Sequence, residues 1–122
     1  MKIKLSDYVV DFLVKKNINT CFSVTGGGAM HLNHSFALNP KTKIIYNHHE
    51  QACTVAAESY FRLNNQIAIA NVTSGPGGTN AITGVYGAYV DSIPMIVISG
   101  QVKLETTVYR SKQKLRQLGD QE

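Results

Sequence analysis

Two kinds of hydrophobic pattern alternate along this chain of 122 residues. The first has the spacing of an amphipathic helix, in which apolar side chains recur at i, i+3, i+4, i+7 and i+8, as they do at Leu5, Tyr8, Val9, Phe12 and Leu13. The second is a short, nearly continuous apolar run, as over residues 67–72, which is typical of a strand covered on both faces. Together they predict helices over residues 6–16, through 30–36, over 50–63 and 79–90, and strands over residues 20–24, 43–46, 67–72 and 94–99.

Local signals mark the ends of several of these elements. Ser6 is the expected N-cap of the first helix, and Asp7 suits the positive end of the helix dipole. Asn17 is expected to end that helix, and Pro40 to end the second one. Strand and helix alternate four times, and the connections are too short for anything but crossover helices. The chain therefore predicts one α/β domain over residues 1–122, with a parallel sheet and helices on both faces.

The composition is that of an ordinary globular protein. Apolar residues make up 43% of the chain and charged residues 16%, which excludes intrinsic disorder, collagen and coiled coil. No apolar run approaches the roughly 18 residues of a membrane helix. Asp7 and Asp11 interrupt what would have to be the apolar region of a signal peptide. We therefore expect a cytoplasmic protein without a membrane partner.

The net charge of +4 is modest, and much of it comes from the basic segment over residues 103–116. This segment does not resemble a nucleic-acid-binding module, so we expect it to form a solvated face or an interface with another chain, and to be helical from about residue 111. Cys21 and Cys53 lack metal-ligand spacing and are expected to be small core residues. His31 and His34 have helical spacing but no third ligand, so no metal site is predicted.

The most informative residues lie in the loops that follow the strands. In a parallel sheet these loops emerge at one edge, formed by the carboxyl ends of the strands. The loops over residues 25–28, 47–50 and 73–80 are therefore expected to converge, with Gly100 after the last strand. Glu50 alone would suggest a solvated carboxylate in the first turn of a helix. Its pairing with the glycine-rich loop over residues 73–80 indicates one shared site instead.

The glycine-rich loops do not match the known phosphate-binding patterns. Residues 26–28 are not G-x-G-x-x-G, and residues 75–78 lack the Lys-Ser/Thr of a P-loop. A phosphate site would also gain from a nearby cation, whereas these loops carry Glu50. The pattern suits a flat, neutral or weakly basic ring, with glycines and Pro76 against its face and Glu50 at a ring nitrogen.

Two long motifs carry a resemblance to a known family. Residues 72–80 (VTSGPGGTN) and 88–102 (AYVDSIPMIVISGQV) resemble the N-terminal, pyrimidine-binding domain of thiamine-diphosphate-dependent enzymes, and acetolactate synthases most of all. Residues 49–51 (HEQ), Gly26-Gly27 and Gln121-Glu122 fall where that family has comparable residues. The resemblance covers essentially the whole chain, and it implies an α/β fold with flavodoxin-like layering.

The resemblance also implies roles for individual residues. In the family, the glutamate that matches Glu50 hydrogen-bonds N1′ of the aminopyrimidine and promotes the imino tautomer, which takes the C2 proton of the thiazolium. A 2-keto acid is then decarboxylated and its acyl unit is transferred to a carbonyl acceptor. By the same matching, the pyrimidine pocket would be lined by Gly75, Pro76 and Asn80. The substrate side would be formed by Gly26, Gly27, His49 and Gln121.

The family implies further parts that these residues do not supply. They are thiamine diphosphate, Mg²⁺ bound by a domain absent from this chain, and a homodimer or homotetramer whose surface would include Met30, Tyr86 and Tyr89. Core packing is the alternative explanation for those three side chains. Whether FAD is also bound is left open. We expect the chain to be the N-terminal fragment of a longer enzyme, and to decarboxylate no pyruvate by itself.

Two departures from acetolactate synthases leave alternatives open. Val24-Thr25 stands where those enzymes usually have Tyr-Pro, and Asp120 stands where an aromatic residue is common. A synthase-like enzyme that uses a deoxysugar ketone as acceptor is therefore one alternative. A non-catalytic α/β interaction module is another. A flavodoxin-like nucleotide-binding protein is disfavoured because no loop has a phosphate-binding pattern.

Overall fold

The computed structural model describes residues 2–103. The predicted helix from about residue 111 and the predicted site residue Gln121 lie outside this range. The described helices are α1 (Leu5–Lys15), α2 (Met30–Leu38), α3 (Glu50–Asn64) and α4 (Pro76–Val90), with a 3₁₀ turn at Gly27–Ala29. The described strands are β1 (Thr20–Ser23), β2 (Lys43–Tyr46), β3 (Ile69–Val72) and β4 (Ile96–Ser99).

The four strands form one parallel sheet in the order β2-β1-β3-β4. The register places Cys21 of β1 beside Ile44 of β2 and Ile69 of β3. On the other side of β3, Ile69 pairs with Ile96 of β4. The prediction of an α/β parallel sheet is confirmed.

Helices cover both faces of the sheet. On one face, α1 and α2 enclose a core in which Val10, Leu13 and Phe36 pack with Cys21 and Ile69. On the other face, α3 packs against α4 and against strands β1 and β3. Strand β3 is buried throughout because it lies inside the sheet and has helices over both of its faces. The two cysteines are fully buried, as predicted.

Two of the predicted helix starts are wrong. Ser6 is not the N-cap of α1, since the cap is Lys4 and Ser6 lies buried inside the helix, where its hydroxyl accepts a hydrogen bond from Ser35 Oγ (2.9 Å). Helix α4 begins at Pro76, three residues before the predicted start at Thr79. Proline favours the first position of a helix because its φ angle suits the helix and its missing N–H would have no intrahelical partner.

Two surfaces are more open than their sequence patterns predict. Strand β4 is an edge strand whose side chains are only partly covered, rather than a fourth buried strand. Beside it lies an apolar groove of about 520 Å³, lined in part by Val9, Leu32 and Ile98. Helix α4 buries a narrow stripe of small residues at Gly77, Ala81, Gly84 and Ala88. Its large apolar residues, which share one face, point outward instead.

Candidate functional site

Backbone hydrogen bonds continue past the ends of the strands and hold the loops together at the carboxyl edge. The N–H of Asn47 donates to the carbonyl of Ser23 (2.9 Å), and the N–H of Val24 donates to the carbonyl of Asn71 (3.4 Å). On the other side, the N–H of Gly100 donates to the carbonyl of Val72 (2.9 Å). The loops after all four strands therefore lie side by side at this edge, as the sheet topology requires.

Glu50 is the first residue of α3, and it stands where the chain turns from β2 into that helix. Its side chain is half-buried. Carboxylate Oε2 accepts a hydrogen bond of 3.0 Å from the side-chain amide Nδ2 of Asn80, thirty residues further along the chain. This contact joins the first turn of α3 to the second turn of α4. Two of the predicted site residues are thus direct partners.

The first turn of α4 gives the Glu50 carboxylate room on one side. Gly77 is buried there, and a Cβ added to it would lie 3.4 Å from Glu50 Oε1 and 2.7 Å from Thr73 Cγ2. A larger residue at position 77 would therefore press on both side chains. Gly77 is a site residue that the sequence predictions did not include. The available signal was the run of glycines over residues 75–78, since glycine lets neighbouring groups approach the backbone closely.

Gly75 and Pro76 set the path of the chain into α4. Gly75 has a φ angle of +64° and a ψ angle of −122°, a conformation that side-chain-bearing residues rarely adopt. Pro76 follows as the first residue of the helix and is exposed. This tight entry brings the helix N-terminus back towards Glu50. The predicted place of both residues in a pyrimidine pocket stays a prediction.

On the predicted substrate side, Gly26 and Gly27 lie in different surroundings. A Cβ on Gly26 would approach Thr73 Cβ to 2.5 Å, so the loop backbone is pressed against that threonine. Gly27 faces open space, with no atom within 4 Å of such a Cβ. The N–H of the next residue, Gly28, donates to Thr73 Oγ1 (3.0 Å). Thr73 thus contacts this loop in two ways.

His49 has a structural task at the start of α3. It is the N-cap residue of that helix, and its ring Nδ1 accepts a hydrogen bond of 3.1 Å from the N–H of Gln51. Its side chain is exposed at the edge of the site. The cap accounts for a histidine directly before Glu50. The predicted contact with substrate stays a prediction.

The residues present fit an aminopyrimidine ring. Oε2 of Glu50 is engaged by Asn80, whereas Oε1, beside Gly77, accepts no hydrogen bond from the part of the chain that the structure describes. An oxygen of this kind can bind a ring nitrogen or its proton. Gly77 presents no side chain next to it, as a flat ring requires. Among residues 2–103 no three potential ligands gather for a metal ion.

Comparisons with known proteins find related sequences. A family model described as the thiamine pyrophosphate enzyme, N-terminal TPP binding domain, matches residues 3–122. The acetolactate synthase large subunit of Buchnera aphidicola (strain Sg) is 39% identical over 114 residues, which cover 93% of this chain and 20% of that protein. The isozyme 3 large subunit of Escherichia coli is 33% identical over 114 residues, with the same coverage. The chloroplastic acetolactate synthase of Arabidopsis thaliana is 34% identical over 99 residues, or 81% of this chain and 15% of that protein. The chain spans about a fifth of the length of such relatives. No helix within residues 2–103 is long and apolar enough to cross a membrane.

Proposed function

The chain belongs to the thiamine pyrophosphate enzymes, as their N-terminal TPP binding domain, and on this basis we propose that Glu50 binds the aminopyrimidine ring in an acetolactate synthase-like transferase or lyase. The proposed substrates are a 2-keto acid donor and a carbonyl acceptor. When bound, thiamine diphosphate supplies the carbon centre that accepts the electrons released by decarboxylation. The domain itself binds and orients the aminopyrimidine ring, and Glu50 exchanges a proton with it.

The hydrogen bond between Asn80 and Glu50 is the observation that carries this proposal. The amide of Asn80 holds Oε2 at 3.0 Å and so fixes the plane of the carboxylate. Oε1 is then directed to the side of Gly77, where it can share a proton with N1′ of the ring. Pro76 has no N–H and cannot compete for the ring nitrogens. Gly75 and Pro76 border the ring.

The substrate side is proposed to lie at the loop with Gly26 and Gly27. This loop packs on Thr73, next to the first turn of α4. His49 is exposed at the same edge, and its Nε2 is free of the capping hydrogen bond made by Nδ1. The predicted role of Gln121 at this side is retained as part of the proposal.

We place the diphosphate group and Mg²⁺ on a part of the complete protein other than this domain. The loops at the carboxyl edge present Glu50 rather than cations, and glycines without the P-loop lysine. The relatives are about five times as long as the matched segment, which leaves room for a second cofactor-binding domain.

The outward face of α4 supports a homodimer. Ile82, Tyr86 and Tyr89 are 59%, 68% and 81% exposed, and together they form an apolar surface along the helix. Such a surface is uncommon on a monomeric protein and marks an interaction site. This face belongs to α4, the helix whose first turn borders Glu50. A second copy docked here would lie close to the cofactor.

A substitution of Glu50 by glutamine in the complete protein tests the proposed role. The amide keeps the hydrogen-bonding shape but cannot exchange the proton, so deuterium exchange at C2 of bound thiamine diphosphate should slow by roughly 100-fold or more. Cofactor affinity should change only a few-fold. The matched control is Glu58→Gln, on the same helix but paired with Arg62 away from the site (2.7 Å). Exchange that is equally fast in the Glu50 variant would overturn the proposal.

A further inference from the structure

We propose that Thr73 is a positioning residue that holds the substrate-side loop over residues 26–28 at a set distance from Glu50. It follows the last residue of β3, where the chain leaves the centre of the sheet for α4. The inference rests on the proposed function, because that function assigns the cofactor to the side of Glu50 and the substrate to the side of residues 26–28. Thr73 acts through other residues and need not touch substrate or cofactor.

The hydroxyl of Thr73 fixes the loop through a single directional contact. Its Oγ1 accepts a hydrogen bond of 3.0 Å from the N–H of Gly28, forty-five residues earlier in the chain. Gly28 lies in the 3₁₀ turn that leads into α2, and N–H groups at a helix start have no partner within the helix. The hydroxyl therefore satisfies a backbone donor and anchors the turn to the end of β3.

The carbon atoms of Thr73 fill the space between two glycines. A Cβ on Gly26 would lie 2.5 Å from Thr73 Cβ, and a Cβ on Gly77 would lie 2.7 Å from Thr73 Cγ2. Both distances are shorter than real carbon contacts, so each glycine backbone rests directly on this side chain. Thr73 thus separates the loop backbone from the first turn of α4.

The contacts of Thr73 extend through Gly77 to the carboxylate of Glu50. Gly77, which rests on the Thr73 methyl, is also the residue beside Glu50 Oε1, at 3.4 Å from its added Cβ. The backbone of Thr73 is held as well, because its carbonyl accepts a hydrogen bond of 3.2 Å from Ser99 Oγ of β4. One anchored side chain therefore touches both the loop of Gly26 and the turn that accommodates Glu50.

Two substitutions distinguish the contribution of the Thr73 hydroxyl from that of its methyl group. Thr73→Val keeps the shape but removes the acceptor, so the Gly28 N–H loses its partner. Thr73→Ser keeps the acceptor and removes the methyl group. Amide hydrogen exchange at Gly28 should be roughly tenfold faster in the valine variant, since the lost hydrogen bond corresponds to about that factor. It should stay close to wild type in the serine variant.

In the complete protein, the same two variants should show an effect on substrate binding without an equal effect on cofactor activation. Thr73→Val should raise KM for the keto acid by about five- to tenfold and change deuterium exchange at C2 by no more than about twofold, because the Glu50–Asn80 contact is untouched. Thr73→Ser keeps the acceptor for the Gly28 N–H, so its KM should stay close to wild type. Unfolding curves of both variants show whether each still folds.

Unchanged Gly28 exchange in Thr73→Val, or equal KM effects of the two variants, would overturn the positioning role and leave Thr73 as a space-filling residue. The Gly28 measurement needs no cofactor. A failure of the Thr73 proposal is therefore distinct from a failure of the proposed function, which is read from C2 exchange in Glu50→Gln.

Discussion

Gly84 of α4 rests on the side chain of Thr54 of α3 so closely that a Cβ on the glycine would lie 2.1 Å from Thr54 Oγ1. The same hydroxyl lies 3.3 Å from the carbonyl oxygen of Ala81, one turn earlier in α4. The two helices can approach this closely only because position 84 has no side chain. Each helix carries one partner of the Glu50–Asn80 contact near its N-terminus, so their spacing also sets the geometry of the site.

Gly84→Ala should destabilise the fold by about 1–3 kcal/mol, since an added methyl group in a tightly packed contact forces the helices apart. Denaturant unfolding measures this change. Gly87→Ala is the matched control on the same helix, because its nearest neighbour would be Glu58 Oε2 at 3.7 Å, an ordinary contact. That variant should be neutral, or more stable by up to about 1 kcal/mol from helix propensity. Equal losses at both positions would contradict the role of the Thr54 contact.

Asn80→Ala should lower activity while changing the stability of the fold only a little. Asn80 is exposed and gives one hydrogen bond to Glu50, so its loss should cost the fold no more than about 1 kcal/mol. In the complete protein, the freed carboxylate should lower the rate of C2 exchange by roughly tenfold. The neighbouring Thr79→Ala, which loses only a contact with the carbonyl oxygen of Pro76, is the control. A rate equal to that of the control would show that Glu50 needs no orientation by Asn80.

The two buried thiols should be unreactive in the folded chain. Burial raises the pKa of Cys21 to about 12, and the nearby Cys53 adds to this rise, while a backbone hydrogen bond from Asn71 opposes it. Burial also raises the pKa of Cys53, against the effect of a hydrogen bond from Asn47. Titration with a disulfide reagent at pH 8 should be slow for the native chain and fast in guanidinium, where both thiols have ordinary pKa values near 8.5.

The raised thiol pKa values also determine how the stability of the fold depends on pH. Because the folded chain holds the thiol protons more tightly than the unfolded chain, the contribution of these groups is complete below about pH 8.5 and declines as the pH rises towards 12. The Cys53→Ala variant isolates the contribution of Cys21. Equal labelling rates in native and denatured chains would contradict the burial of both thiols.

Tyr86→Ser should weaken self-association. A large aromatic side chain at the centre of an interface typically contributes about 1 kcal/mol or more, so the dimer dissociation constant should rise by about fivefold or more. Sedimentation of the complete protein over a range of concentrations measures this. Phe12→Ser is the control, because Phe12 is also exposed but lies on α1, on the opposite face of the sheet. A protein that is monomeric at all concentrations would argue against the α4 interface.

The order of the elements and the position of Glu50 could be predicted from the chain alone. Strand β2 occupies the predicted residues 43–46, and Glu50 begins α3 as expected. Asn65, in the left-handed conformation with φ of 53°, ends that helix. These features depend on hydrophobic period and turn chemistry within a few neighbouring residues. Local sequence is sufficient for them.

The faces of the helices could not be predicted in this way. The large apolar residues of α4 share one side, and that side alone would suggest a core face. The structure instead buries the stripe with Gly84 and Ala88, since only small residues allow α4 to lie so close to Thr54. Hydrophobic period locates a helix, but it does not show whether a partner surface is the core or another chain.

The sequence by itself determined that a carboxylate and a glycine-rich turn would meet at the carboxyl edge of a parallel sheet, because chain order and strand direction require it. Only the tertiary structure decided that Asn80 would hold Glu50, and that Gly77 and Thr73 would lie between the two sides of the site. The contacts of Asn80 with Glu50 and of Thr73 with Gly28 join residues thirty and forty-five positions apart. They depend on how closely two helices and a strand end pack, and packing at this distance has no local pattern in the chain.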